Sequence, residues 1–218
     1  MVKRFIDVEG KMLFPIAGQQ RCAYTLSGST DFYELKEMEE HGGHPGTVLK
    51  FYDYRRRRII CLFEQKPNVM YSAPLYYRKY YYFLQCDYGE GAVRLCKWRP
   101  DVAMTVVTEL DLDGIDLYNL QLLGDVPHVI SQNGKLFRCY YPVAFSIPIR
   151  PNETACFVDD GRVYFEAWIE EGWDHEHDCA GPDYKFYDKV IVKNFEGNTI
   201  SEELGSLSLG PDGAWWIS

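Results

Sequence analysis

Apolar residues in this chain come in short runs or alternate with polar ones, and they rarely recur at the i, i+3, i+4, i+7 spacing of a helix face. Runs at Thr47 to Tyr54, Arg58 to Glu64, Tyr80 to Cys86, Val93 to Trp98, Thr105 to Leu110 and Lys135 to Tyr141 are separated by Gly, Pro, Asn and Asp, the punctuation of strands joined by turns. Asn133-Gly134, Asp160-Gly161 and Glu196-Gly197-Asn198 supply residues that accept the positive φ of tight hairpins. One segment, Asp31 to Glu40, has helical features: a candidate N-cap at Ser29 or Thr30, with Leu35 and Met38 inside it. Its acidity and its run into His41-Gly42-Gly43-His44-Pro45-Gly46 read instead as a strand followed by a loop. The pattern predicts an all-β, antiparallel meander, one domain over residues 1–218.

Strands that open four-strand units fall near Cys22, Val69, Leu117, Ala155 and Gly213, at intervals that bracket the roughly 40 to 45 residues of one common propeller repeat. The second unit reads as Val69 to Tyr77, Tyr80 to Asp87, Ala92 to Arg99 and Ala103 to Asp111. The third reads as Leu117 to Leu123, His128 to Ser131, Lys135 to Tyr141 and Ala144 to Ile149. The final segment, Pro211-Asp212-Gly213-Ala214-Trp215-Trp216-Ile217-Ser218, resembles the Asp-Gly-x-hydrophobic-Trp strand that opens blades in many bacterial β-propeller repeats. That resemblance implies a five-bladed β-propeller closed by N- and C-terminal strands, with Val2 to Val8 and Lys11 to Ile16 as outer strands of a shared last blade. A β-sandwich or barrel is the alternative architecture.

Composition reinforces the β reading, because 16% of residues are aromatic, led by 17 Tyr and 12 Phe, which suit a pleated surface. The net charge of −9 opposes attraction to phosphate backbones and anionic membranes, so neither nucleic acid nor a membrane is an expected partner. Acidic residues interrupt the stretch where a signal peptide needs unbroken apolar sequence, which leads to the expectation of a cytoplasmic protein. Seven scattered cysteines with no CxxC pair point to reduced thiols serving as small hydrophobes.

Ligand-type side chains concentrate in Glu170-Glu171-Gly172-Trp173-Asp174-His175-Glu176-His177-Asp178-Cys179. If this segment is extended, His175, His177 and Cys179 share one side and can hold a divalent metal such as zinc, with a fourth ligand from elsewhere. A solvated hairpin loop is the plainer reading. Trp173, Asp174, His175 and His177 are the candidate ligand-binding residues. His41 and His44 lie in a Gly- and Pro-rich loop, and His128 reads as the start of a strand. Arg55 to Arg58 reads as a solvated hairpin tip, with an anion or acidic-partner contact as its functional alternative. Most rings of Tyr76-Tyr77-Arg78-Lys79-Tyr80-Tyr81-Tyr82-Phe83 are expected in the core.

The chain carries no GxSxG elbow, P-loop, GxGxxG after a strand, or HExxH. The leading expectation is therefore a noncatalytic binding protein that recognises a protein or small ligand through loops on one face. A carbohydrate-active or metal-assisted hydrolase is the alternative, motivated by the histidine cluster and by fold-level analogy alone. Lectin-like sugar binding through exposed Tyr and Trp stands between the two.

Overall fold

A computed structural model describes residues 1–28 and 31–218. It is mostly β, with 53% of residues in strands and 6% in helices, arranged as antiparallel sheets none of which closes on itself. The first sheet holds β1 (Phe14–Pro15), β2 (Cys22–Leu26), β3 (Leu49–Asp53) and β4 (Arg58–Cys61) in chain order. In the second, β7 (Tyr80–Asp87) pairs on one side with both β5 (Val69–Tyr71) and β6 (Leu75–Tyr77), and continues through β8 (Ala92–Arg99) to β9 (Val102–Asp111). The third runs β10 (Gln121–Leu123), β11 (His128–Asn133), β12 (Leu136–Tyr141), β13 (Phe145–Pro148). The fourth runs β14 (Glu153–Asp159), β15 (Arg162–Asp174), β16 (Cys179–Asn194), β17 (Thr199–Leu204). A last pair joins β18 (Leu207–Leu209) to β19 (Trp215–Ile217). No helix among the described residues is long and apolar enough to cross a membrane.

The turns follow local chemistry. Asn133 Oδ1 accepts from the backbone N–H groups of Lys135 and Leu136 and turns β11 into β12. Asp160 and Gly161, both at positive φ, join β14 to β15.

Neighbouring sheets bury their apolar faces against one another. Phe51 and Cys22 of the first sheet pack with Tyr81, Phe83 and Trp98 of the second. Leu84, Val93 and Leu95 of the second meet Leu122 and Val129 of the third. Ile130, Phe137 and Ile147 of the third meet Val163, Phe165 and Ile191 of the fourth. The last pair contacts the fourth sheet through Trp215 on Phe157, ring centroids 5.5 Å apart. It reaches the first sheet through the Gly18 N–H, which donates to Pro211 O at 3.4 Å.

Two expectations are corrected. Phe32–Glu40 is a helix, α1, because Asp31 caps it by accepting from the Tyr33 N–H and because Phe32 and Leu35 are buried against the second and third sheets. The suggested caps Ser29 and Thr30 lie outside the described residues. The N- and C-terminal strands also do not pair: β19 bonds β18, Phe14–Pro15 bonds Cys22–Leu26, and residues 2–8 form no strand. Val2, Ile6 and Val8 are all exposed, so the apolar residues of that stretch have no sheet face to join.

Candidate functional site

The histidine-rich segment forms the tip of the β15–β16 hairpin. Asp174 Oδ1 accepts from the N–H groups of Glu176 and His177, and Oδ2 lies 2.9 Å from His177 Nδ1. The His177 contact, followed by these two N–H groups, holds the Asp174 carboxyl below its ordinary range. Residues 175–178 are a turn, with Asp178 at φ 50°, so the strand alternation that would align His175, His177 and Cys179 does not operate. Trp173 packs edge-on against Tyr184 at the base of the tip. Among the described residues no group of three or more His, Cys, Asp or Glu is arranged to hold a metal ion.

The other histidines serve their own backbone. His41 Nδ1 lies 2.6 Å from Glu37 O at the end of α1, and His44 Nδ1 accepts from the Gly46 N–H. His128 opens β11 as expected and is buried, its Nδ1 2.7 Å from Val126 O. Burial raises the thiols of Cys22 and Cys156 to about 11 and those of Cys86, Cys96 and Cys139 to about 12, which keeps them protonated.

A different cluster assembles where hairpin tips of the first and second sheets meet. The β3–β4 turn carries Arg55, Arg56 and Arg57, with Arg58 opening β4. Arg56 forms an ion pair with Asp101 in the β8–β9 turn, and Arg21 reaches the same carboxylate at 3.5 Å. Arg21 also binds buried Asp53 at 2.8 Å, which anchors the first sheet side of the site. A concavity of about 420 Å³ opens between them, lined by Arg21, Tyr76, Lys79, Tyr81, Arg99 and Asp101.

The second-sheet cations here rest on rings, whereas Arg21 and Arg56 of the first sheet rest on carboxylates. Lys97 Nζ lies 4.7 Å from the Tyr80 centroid, the Arg99 guanidinium carbon 5.1 Å from the same ring, and that of Arg78 5.0 Å from Tyr77. Among the described residues Arg78, Lys79, Lys97 and Arg99 have no ion-pair partner. A ring attracts a cation by its quadrupole but leaves the positive charge and its donors available to an incoming anion.

Backbone strain gathers at the same place. Arg78 and Lys79 occupy both central positions of the β6–β7 turn at φ 45° and 73°, where Asn-Gly is the unstrained choice. Arg57 (55°) and Asp101 (76°) also sit at positive φ in their turns, so four of the eight such non-glycine residues among the described residues lie in these three turns, with Lys79 and Asp101 lining the concavity itself. Such strain persists where surrounding structure holds it, and it tends to collect at functional sites.

Tyr76 also borders a second cavity of about 430 Å³, to which all five sheets contribute: Ile16 to Gly18, Ala73 to Arg78, Leu122 to Asp125, Cys156 and Phe157, and Asp212 to Trp215 among them. Its wall is mostly apolar, with Arg78, Asp125 and Asp212 as its charged members. The tyrosine-rich run thus divides its work. Tyr81 and Phe83 are buried in the core, while Tyr76 and Tyr77 are half-buried against the cavities and Tyr80 is half-buried beneath Lys97 and Arg99.

The sequence reading placed the site at Trp173 to Cys179 and missed this convergence. The available signal was that successive hairpins each carry cations at the same end: 55–58, 78–79 and 97–99. No family model, curated protein or solved structure matches the chain, so these residues and their geometry are what bear on its role.

Proposed function

We propose that this chain is a noncatalytic recognition module on a five-bladed β-propeller framework, and that its basic, tyrosine-lined concavity binds an acidic protein segment. The propeller reading is supported by five antiparallel sheets laid down in chain order, by the contacts between successive sheets, and by the cavity to which each contributes. The binding reading is carried by one observation: beside the paired Arg21 and Arg56, four cations of the second sheet, Arg78, Lys79, Lys97 and Arg99, gather on a strained turn and on tyrosine rings with no ion-pair partner among the described residues, in a chain of net charge −9.

A protein segment fits better than a nucleic acid. The concavity is local, and residues 153–204 alone carry fourteen carboxylates against four basic side chains, a field that opposes a long polyanion. The shared Tyr76 wall places an apolar cavity beside the cations, which suits a ligand that mixes carboxylates with apolar side chains.

The test is fluorescence anisotropy with a labelled peptide of alternating Glu and Trp, against a Lys-Trp peptide and a single-stranded oligonucleotide. Binding of the acidic peptide alone, weakened by salt and by Lys79→Gln with Arg99→Gln, is expected. Equal affinity for the oligonucleotide, or no dependence on Lys79 and Arg99, rejects the proposal.

A further inference from the structure

The fourth sheet departs from the others in one respect. Its β14 pairs with β15 only as far as Ala167, and β17 pairs with β16 only from Lys189. Residues 168–188 therefore continue as a two-stranded arm, with Trp168 opposite Asp188 at its base, where Trp168 bonds Asn152 and Asp188 O accepts from the Gly205 N–H, and Asp174 opposite Cys179 near its tip. Seven strand residues at about 3.3 Å each give it a reach of roughly 20 Å.

Among the described residues, the side-chain hydrogen bonds and ion pairs of residues 170–187 stay within the arm: Tyr184 to Glu170, Tyr187 and Lys185 to Glu171, His177 to Asp174. Trp168 and Phe186 stack at 4.9 Å with planes 4° apart and are nonetheless 49% and 59% exposed. Around them the arm carries seven carboxylates and one lysine. Glu176, Asp178 and Asp183 have no ion-pair partner among the described residues.

We infer that the arm is the acidic segment, and that it docks into the basic concavity of a second copy of this chain. The inference rests on the binding reading above and names its partner. Charge selects that occupant, because the acidic, aromatic arm offers what the cationic, tyrosine-lined concavity lacks. The contact joins two different surfaces, so each docked copy still presents a free arm or a free concavity. Association therefore proceeds head to tail into a ring or an open chain.

The experiment is light scattering on the full chain, from micromolar to millimolar concentration in low salt. One variant neutralises the arm (Glu176→Gln, Asp178→Asn, Asp183→Asn) and another the concavity (Lys79→Gln, Arg99→Gln). Wild type should exceed monomer mass as concentration rises and dissociate on adding salt, and each variant alone should associate about tenfold or more weakly. Mixing the two variants should give a complex of two chains that grows no further, since one working arm and one working concavity remain. A wild type that stays monomeric, or association that the arm variant leaves unchanged, overturns the inference. If wild type stays monomeric yet binds the Glu-Trp peptide, self-docking fails and the binding reading stands. If it does neither, both fail.

Discussion

Lys193 and Glu153 form the most enclosed ion pair among the described residues, 2.6 Å apart with side chains 9% and 2% exposed. Lys193 Nζ also donates to Pro148 O, and Glu153 Oε2 accepts from the Arg150 N–H, so the pair ties the third sheet to the fourth. Breaking it strands a buried charge. Lys193→Met should cost about 3–5 kcal/mol in urea unfolding, far more than exposed substitutions such as Lys79→Gln, which should change stability by about 0.5 kcal/mol or less. Acid should act through two other residues. Burial lowers His128, so its contribution is intact above about pH 6.5 and is lost as pH falls towards its native value. Burial raises the Asp53 carboxyl, but Arg21 and the backbone N–H groups of Arg55 and Arg56 outweigh it and hold it low. Its contribution is present above about pH 4 and is lost as pH falls through the depressed value. A pH series of melting temperatures should therefore show a first decline absent in His128→Gln and a second, more acidic one absent in Asp53→Asn.

At the level of elements, the β6–β7 turn sets stability against recognition. Replacing Arg78-Lys79 by Asn-Gly suits the left-handed positions and should stabilise the fold by about 1 kcal/mol or more, while weakening acidic-peptide binding. A gain in stability with unchanged binding would detach the strain from the site. The strands of the second and third sheets are legible in the sequence to within a few residues, because runs such as Tyr80–Asp87 and Ala92–Arg99 are apolar, β-forming and bounded by turn residues. Helix α1 is not, since only Phe32 and Leu35 of its nine residues are buried and most of the rest are exposed, four of them Glu. Nor is the candidate site. Arg55–Arg58 can be read as a hairpin tip, but its meeting with Asp101 depends on how two sheets pack, which no local pattern encodes. The arm's tip is visible as a polar cluster, whereas its length follows from where β14 and β17 stop pairing.

For the whole molecule, charge is unevenly divided, with the carboxylate excess on the fourth sheet and the unpaired cations where the first two sheets meet. Deleting residues 211–218 removes β19, uncovers the edge of β18 and takes Trp215 from Phe157, so a clear fall in melting temperature is expected. An unchanged value would reject the last strand pair as part of the cooperative fold. The same region bears on how the molecule opens. At Gly18 and Gly213 the two backbones approach so closely that a Cβ on Gly213 would sit 2.9 Å from the Gly18 Cα, and the backbone hydrogen bond across this seam, from the Gly18 N–H to Pro211 O, is a long one. The junctions among the four larger sheets are filled by Phe, Leu, Ile and Val side chains that must be exposed to water before they part. The seam has little such surface to wet, so it behaves as a clasp: amide protons beside it should exchange with deuterium well before those of the four larger sheets.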